Sequence, residues 1–318
     1  MKISFLIPAF NSSTTLQECI ESIINQKGNF DKKIIIINDG SKDKTLEVAN
    51  KLSSKYNCIN IINKQHGGES SALNVGLQYV EGELIAIIES DVKLFSDWLE
   101  KIISGFKEKK VVGIGGRLIT SKTDPWIARI AGYEVERKFK NKKDFPNHIT
   151  SANVIYRKEV FEKYGKFNEK LLNSCLDADL NLRIIRGGDK LKYEKEAIAE
   201  HHFKKSFIEY LKRQYMYARY RPYLKCTNLY NEDKNIRIQM ILTIFFFFSL
   251  PIIKFSILPS ILLLISIFFF NSPFFLEILF KKKDWVCILV PPVMFLRNIV
   301  GIIGYTIGWF IKKLNKNV

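Results

Sequence analysis

The sequence lacks the cysteine patterns that build disulfide scaffolds or zinc sites. Its five cysteines lie far apart and are odd in number, and no two of them form a Cys-x-x-Cys pair. This spacing excludes a small disulfide-stapled fold and a structural zinc site. It indicates reduced thiols, and therefore a protein that faces a cytoplasm.

The sequence also lacks the glycine-rich fingerprints of two common nucleotide-binding folds. No Gly-x-Gly-x-x-Gly follows the first predicted strand, and Gly-x-x-x-x-Gly-Lys-Ser/Thr does not occur. These absences argue against a dinucleotide-binding fold and against a P-loop. A signal peptide is not expected either, because the first apolar run, Ile3 to Phe10, is short and contains Pro8.

Positive charge is abundant by contrast. The 318 residues include 49 Lys and Arg against 32 Asp and Glu, which gives a formal charge of +17. A charge of this size indicates a polyanionic partner such as anionic lipid, phosphates or nucleic acid. We expect no nucleic acid partner, because the sequence has no RNA-binding motif. Hydrophobic residues make up 47% of the chain, which excludes a disordered polymer.

The composition changes near residue 236, which predicts a soluble domain over 1–235 and a membrane domain over 236–318. Residues 238–280 are almost wholly apolar and have room for a hairpin that turns near 254–259, and 285–311 is a second apolar stretch. Basic flanks place the soluble domain on the cytoplasmic face of a cell membrane. The flanking residues are Arg219, Arg221, Lys225, Lys234, Arg237, Lys281, Lys282, Lys283, Lys312, Lys313 and Lys316.

The second apolar stretch is interrupted. Pro291 and Pro292 lie near its start, and Arg297 lies in its middle. We therefore expect two half-spans or an interfacial helix here, and an even number of membrane crossings in total. This interpretation predicts a multi-pass membrane protein.

Short apolar runs alternate with amphipathic stretches in the soluble domain. The runs at 3–7, 33–38, 59–63 and 84–88 predict buried strands separated by helices. This order predicts an α/β fold with a mostly parallel sheet, in which ligands bind beyond the carboxyl ends of the strands. Polar residues follow the four runs in turn: Asn11, then Asp39-Gly40-Ser41, then His66-Gly67-Gly68, then Glu89-Ser90-Asp91.

Six segments carry a family resemblance, and they occur in the family's order. They are residues 4–11, 36–45, 67–76, 89–91, 151–157 and 177–183. Together they resemble the family 2 glycosyltransferases, which have the GT-A fold. Glu89-Ser90-Asp91 stands in the place of the family's Asp-x-Asp motif. The apolar end of the chain is similar to the membrane-anchored branch of the family.

The resemblance implies a nucleoside diphosphate sugar as donor, which we expect to be UDP-linked, and a divalent metal ion as cofactor, either Mn²⁺ or Mg²⁺. It implies Asp177 as the general base of an inverting transfer, with Asp91 and His201 as metal ligands. His202 is the alternative to His201. We favour His201 because of its spacing to Ser206. The positions that would bind the donor are Pro8, Phe10, Asn11, Asp39, Gly40, Lys64, Glu89, Ser90, Arg213 and Gln214.

These residues predict an inverting, metal-dependent glycosyltransferase that acts on a lipid-linked or polysaccharide acceptor at the cytoplasmic membrane face. The family pattern is not complete, since Glu69, Glu89 and Leu176 depart from it. The departures leave open a non-catalytic membrane scaffold, or a sensor of sugar nucleotides with the same fold. A processive synthase is a third interpretation, and the absence of Gln-x-x-Arg-Trp after residue 205 argues against it.

Overall fold

A computed structural model of the chain describes residues 1–139, 144–171, 174–203, 206–224 and 233–314. Two of the predicted flanking cations, Lys225 and Lys316, lie outside these residues. The strands are β1 (Lys2–Ala9), β2 (Asp31–Asp39), β3 (Ile59–Lys64), β4 (Leu84–Ile88), β5 (Val92–Leu94), β6 (Val111–Ile119), β7 (Asn153–Arg157) and β8 (Lys190–His201). The helices are α1 (Leu16–Ile24), α2 (Thr45–Lys55), α3 (Glu69–Gly76), α4 (Trp98–Ser104), α5 (Trp126–Phe139), α6 (Glu159–Lys163), α7 (Leu176–Arg186), α8 (Phe207–Tyr220), α9 (Asp233–Ser249), α10 (Leu258–Glu277) and α11 (Val290–Leu314).

The strands form one mixed sheet in the order β3-β2-β1-β4-β7-β6-β8-β5. The first four strands in this order are parallel, as their alternation with helices predicts. β7 then pairs antiparallel with both β4 and β6, β8 pairs parallel with β6, and β5 pairs antiparallel with β8. The predicted α/β class and the four predicted strands are confirmed.

The sheet interior explains why these runs become strands. Ile34, Ile35, Ile36 and Ile37 are all fully buried in β2, as a parallel strand covered on both faces requires. Burying each such side chain contributes roughly 1.5–3 kcal/mol. The core cluster extends from β2 to β7 and α7, and it includes Leu176, which is 3% exposed. Leu176 therefore fills a core position.

Pro8 lies inside a central strand without breaking it. β1 pairs with β4 only as far as Leu6, opposite Ile87. Pro8 lies beyond that point and pairs only with β2, opposite Ile37. Because a proline has no N–H to give to a ladder, it is tolerated where one side of the strand is already unpaired.

The chain divides into two compact units. The first comprises Met1–Ser121 with Phe139–His202, and the second comprises Lys122–Lys138 with Phe203–Val318. This division follows the packing of the residues. The predicted division at residue 235 follows composition instead, and it stays a prediction.

The second unit is helical. α9 and α10 pack against each other as a helical hairpin, with a 3₁₀ turn at Leu250–Lys254 between them. Its core comprises Ile127, Ile130, Tyr133, Tyr210, Phe274, Ile278, Val286, Cys287, Val290, Val293 and Met294. Within the described residues, the segments Leu258–Lys282 and Trp285–Leu314 are long and apolar enough to cross a membrane.

The prediction of two half-spans after residue 285 is wrong. Residues 290–314 form the single helix α11. Pro291 and Pro292 fall in its first turn, where a missing N–H costs no helical hydrogen bond. Arg297 does not interrupt the helix, because its guanidinium pairs with the Glu134 carboxylate at 3.0 Å.

Candidate active site

Three side chains of types that can ligate a metal meet at the carboxyl end of β4. Glu89 and Asp91 lie in the turn between β4 and β5, which the Glu89 carbonyl closes by accepting from the Val92 N–H at 3.0 Å. His201 ends β8 and pairs with Val92 in the β5–β8 ladder. This pairing brings His201 Nε2 to 3.2 Å from Asp91 Oδ1 and 3.3 Å from Glu89 Oε2.

The donor atoms of this group fit a divalent cation. One ligand atom from each of Glu89, Asp91 and His201 lies within 4.8 Å of the others, so a single ion can contact all three. Both carboxylates are partly open to solvent, at 18% and 15% exposure, while the imidazole is 2% exposed. Two carboxylates and one imidazole suit Mn²⁺ better than Mg²⁺, which prefers an all-oxygen shell.

The electrostatics of the group also favour a positive charge. Burial lowers the pKa of His201, but the charges of Asp91 and Glu89 outweigh burial and raise that pKa to about 9. The neighbouring His202 points elsewhere: its Nε2 lies 3.4 Å from Glu18 Oε2. Of the two predicted histidines, only His201 joins the carboxylates.

Asp177 lies close to this group, because the backbone of residues 151 and 152 contacts both Glu89 and Asp177. The Glu89 N–H donates to the Ala152 carbonyl at 3.1 Å, and the neighbouring Ser151 N–H donates to the Asp177 carboxylate. Burial raises the pKa of Asp177 to about 6, against the lowering effect of the Ala178 N–H, and the charge of Glu89 adds to the rise. The side chain is 20% exposed, so the carboxylate is open to a second reactant.

A fully buried histidine lies behind Asp177. His148 Nε2 lies 3.6 Å from Asp177 Oδ2, which is an electrostatic contact longer than a hydrogen bond. The Asn181 side-chain amide faces His148 Nδ1 at 3.0 Å and also donates to the Ile149 carbonyl at 2.6 Å. The Tyr156 hydroxyl donates to Asn181 Oδ1 at 2.9 Å.

These contacts assign the tautomer of His148. Asn181 must present its NH₂ group to the Ile149 carbonyl, because its oxygen accepts from Tyr156. The second N–H of that amide then donates to His148 Nδ1, which is an acceptor only when the proton sits on Nε2. His148 therefore presents an N–H toward Asp177, and this N–H favours the ionised carboxylate.

Asp39 organises the loop after β3. Its carboxylate accepts from Lys64 Nζ at 2.5 Å and from the N–H groups of Gly67 and Gly68 at 3.0 and 2.8 Å. His66 Nδ1 lies 2.9 Å from Asp39 Oδ2. Since these four contacts use the usual acceptor sites of a carboxylate, a nucleobase can bond Asp39 only by displacing one of them.

An aromatic pair lies at the same edge. Phe10 stacks on His66 with ring centroids 4.1 Å apart, and Phe10 is 39% exposed. Asn11 joins the two adjoining loops, because its N–H donates to Ser41 Oγ and its side-chain oxygen accepts from the Lys42 N–H. The pair offers an exposed ring face on which a planar base can stack.

The remaining predicted donor residues fall in two places. Ser90 Oγ donates to Ser12 Oγ at 2.8 Å in the first unit, so it ties the turn after β4 to the loop after β1. Arg213 and Gln214 lie on α8 in the second unit. There Arg213 Nε donates to the Tyr217 hydroxyl at 2.6 Å.

Sequence reasoning missed the position of His148 behind Asp177 and the stacking of His66 on Phe10. His148 belongs to no motif and lies 29 residues before Asp177 in the chain. His66 follows the third strand, but a strand-end position does not reveal ring stacking. For His148, burial of a lone histidine in a polar stretch gives no periodic signal.

Two solved structures of other proteins have the same fold as this chain. The structure matches a mannosyltransferase, PcManGT from Pyrobaculum calidifontis, in complex with GDP-Man and Mn²⁺, at a TM-score of 0.62 and 12% identity over 96% of this chain and 86% of that chain. It also matches GalNAc-T7 with UDP, GalNAc and Mn²⁺, at a TM-score of 0.52 and 12% identity over 64% and 43% of the two chains. At these identities the matches show the GT-A fold.

The sequence identifies the family. The profile described as "Glycosyl transferase family 2" matches residues 4–165, about half of the chain. The chain therefore belongs to glycosyl transferase family 2 and is a glycosyltransferase. A relative is glycosyltransferase AglE of Haloferax volcanii, 25% identical over 216 residues that span 67% of this chain and 70% of that protein.

Proposed function

We propose that the protein is an inverting, metal-dependent glycosyltransferase that moves a sugar from a nucleoside diphosphate sugar to an acceptor hydroxyl. The observation that carries the proposal is the convergence of Glu89, Asp91 and His201 beside the partly open carboxylate of Asp177. An ion-binding group and a base side by side are what displacement at a sugar carbon requires.

Glu89, Asp91 and His201 would hold the metal ion. A divalent ion at this point supplies positive charge that stabilises the leaving diphosphate. The protein's own part is to hold the two carboxylates close together, which the turn after β4 and the β5–β8 ladder do. His201 is held by its burial and its strand pairing, so it is positioned before any ligand binds.

Asp177 is the proposed base. Its raised pKa, about 6, leaves the carboxylate mostly ionised at neutral pH and makes it a stronger base than an ordinary aspartate. It would accept the proton of the acceptor hydroxyl as the new bond to the sugar forms and the bond to the diphosphate breaks. His148 would hold the carboxylate in place and favour its ionised form.

The loops after β1 and β3 would bind the nucleoside. The exposed Phe10–His66 stack provides a surface for the base, and Lys64 provides a positive charge at the same edge. We expect a UDP-linked donor. The stack itself accepts any base, so a panel of UDP- and GDP-sugars is the appropriate test.

The second unit would attach the enzyme to the cytoplasmic face of a cell membrane as a multi-pass protein. The two candidate spans carry large apolar side chains exposed to the surroundings, among them Phe269 at 71% and Phe280 at 69%. Such a surface is unfavourable in water and suits a bilayer. We therefore propose an acceptor that is lipid-linked or is a polysaccharide.

The test is release of nucleoside diphosphate by the detergent-purified full chain. The assay contains a UDP- or GDP-sugar, Mn²⁺ or Mg²⁺, and a lipid extract as the source of acceptor. We expect release from one donor, loss of release with EDTA, and a fall on the order of 10²-fold in Asp91→Asn.

Asp97→Asn is the matched control for this test. Asp97 is an exposed carboxylate of the same unit, and it pairs with Lys101 at 2.8 Å. We expect it to keep full activity. Activity that is unchanged by EDTA and by Asp91→Asn would contradict the proposed metal site.

A further inference from the structure

The last helix, α11, packs against α8 along its second half. A Cβ at Gly304 would lie 2.5 Å from the Tyr215 carbonyl oxygen, and a Cβ at Gly308 would overlap the Arg219 carbonyl oxygen. Only glycine allows two backbones to approach this closely. Because the two contacts have the same offset along the chain, α8 and α11 run side by side in the same direction.

α8 carries four ionisable side chains of two signs. They are Glu209, Lys212, Arg213 and Arg219, and the first two are exposed. The offset between the helices places Arg213 level with Ile302, the middle residue of α11. If α11 crossed a membrane, α8 would carry these side chains to the bilayer centre, where ionised groups are costly.

The middle of α11 is also level with the charged start of α9. Arg297 Nη2 donates to Gln239 Oε1 at 3.2 Å, and a Cβ at Gly301 would lie 3.8 Å from the methyl carbon of Met240. These two residues of α9 closely follow Arg237. A basic residue at the end of a crossing helix marks the level of the lipid head groups. The middle of α11 is therefore near that level, and not at the bilayer centre.

The exposed face of α11 is largely apolar. Leu296, Ile303, Ile307 and Phe310 are between 37% and 53% exposed. Their spacing places them on one side of the helix. The opposite side is buried against other helices of the same unit. A one-sided apolar pattern of this kind is typical of a helix that lies in the plane of a membrane surface.

Aromatic and basic side chains border this face. Tyr305 and Trp309 are each 44% exposed, and Lys313 Nζ lies 5.1 Å from the centroid of the Trp309 ring. Lys312 Nζ donates to the Pro222 carbonyl just after α8. Tyrosine, tryptophan and lysine all favour the level of the lipid head groups. Tyr305 lies near the middle of α11, which a crossing helix would place inside the hydrocarbon.

We propose that α11 lies in the plane of the cytoplasmic leaflet with its exposed apolar face in the lipid. The α9–α10 hairpin alone then crosses the membrane. α10 suits that role, because its one ionisable residue, Glu277, ends the helix. The proposal rests on the proposed attachment to a membrane and deepens it, since it names the surface that contacts lipid at head-group level.

The test measures the depth of an introduced tryptophan in a membrane. The full chain is reconstituted in vesicles of phosphatidylcholine and phosphatidylglycerol, with bromine atoms either near the head group or near the end of the acyl chains. Bromine quenches tryptophan fluorescence on contact, so the two lipids report shallow and deep positions. Ile303→Trp reports on the middle of α11. The wild type supplies the signal of the native tryptophans, which is subtracted.

Phe269→Trp is the matched control, because Phe269 is an exposed apolar residue in the middle of α10. We expect shallow bromine to quench Ile303→Trp more strongly than deep bromine does, because a helix in the plane inserts its apolar face by only about 5–10 Å. We expect the reverse for Phe269→Trp, because the middle of a crossing helix lies about 15 Å from either edge of the hydrocarbon core.

A second pair of variants, Ile307→Trp and Ile265→Trp, repeats the comparison if a member of the first pair fails to fold. A thermal unfolding curve verifies the fold of each variant. Because no turnover is measured, the result is independent of whether the proposed transfer reaction is correct.

Three results would overturn the proposal. Stronger quenching of Ile303→Trp by deep bromine would mean that α11 crosses the membrane. Quenching of Phe269→Trp alone would mean that protein, such as a second copy of the chain, covers the exposed face of α11. Quenching of neither variant would mean that the second unit is not in the membrane, so the proposed attachment would fail as well.

Discussion

At the scale of single residues, the proposed role of Asp177 as the base predicts that transfer depends on pH. Its pKa of about 6 predicts that kcat/KM falls as the pH drops through 6, because a protonated carboxyl cannot accept the acceptor proton. The sign is that of a base: activity is full above this pKa and is lost below it. Initial rates of nucleoside diphosphate release between pH 5 and pH 8 (about the range in which the protein is expected to stay folded) measure the acid limb.

The same pH–rate profile tests the role of His148, which lies behind Asp177. His148→Leu removes the N–H that faces Asp177, so we expect a higher apparent pKa for the acid limb and a lower rate at pH 6. His148→Gln keeps an N–H at this position, so the apparent pKa of its acid limb should lie closer to that of the wild type. A uniform loss of rate in both variants, with an unmoved acid limb, would show that His148 is only a packing residue.

At the scale of elements, the turn after β2 determines the shape of the loop after β3. Gly40 has φ +70°, and a Cβ there would lie 2.7 Å from the backbone nitrogen of His66. Gly40→Ala should therefore lower the free energy of unfolding by roughly 1–2 kcal/mol, which is the cost of a left-handed backbone for a residue with a Cβ. It should also displace the loop after β3, whose N–H groups bond Asp39. We expect weaker nucleotide binding and a lower Tm, measured by titration and by thermal unfolding.

Gly188→Ala is the control that separates the effect of backbone strain from the effect of the steric clash at Gly40. Gly188 has φ +85°, and a Cβ there would meet nothing within 4 Å. It should lower the Tm through strain and leave nucleotide binding unchanged. Equal loss of nucleotide affinity in both variants would contradict the role given to the Gly40 turn.

Periodicity and strand-end polarity predict the first half of the fold well. The four-isoleucine run of β2 is a buried parallel strand, and the motif at 89–91 lies at a strand end, because a parallel sheet covered by helices imposes both patterns. The rest of the fold and the assembly of the candidate site depend on pairing between residues far apart in the chain. β8 brings His201 to Asp91 from 110 residues away in the chain, and no local pattern specifies such a partner.

The apolar end was harder to predict for a different reason. Pro291, Pro292 and Arg297 read as interruptions because their tolerance depends on context. The prolines fall in the first turn of α11, and the guanidinium of Arg297 is satisfied by Glu134 on α5. The sequence does not reveal that pair, since 163 residues separate its members.

At the scale of the whole molecule, the apolar surface of α10 and α11 predicts stable attachment to a membrane. The full chain should sediment with cell membranes, resist extraction by high salt and by alkaline carbonate, and enter solution only with detergent. Release by salt alone would mean electrostatic surface binding through the surplus of basic residues. In that case the two candidate spans would have to be buried within the protein or in an oligomer.

The central claim is that Asp177 is the base of a sugar transfer, and the most direct measurement compares Asp177→Asn with Asp179→Asn. Asp179 lies on the same helix and pairs with Arg183 at 2.8 Å, so the two variants make the same change two residues apart. Nucleoside diphosphate release should fall by roughly 10²–10⁴ in Asp177→Asn, with donor affinity unchanged, and should persist in Asp179→Asn. Full turnover in Asp177→Asn, or a wild type that binds donor tightly and never releases product, would contradict the account; the second result would instead favour a sensor or scaffold.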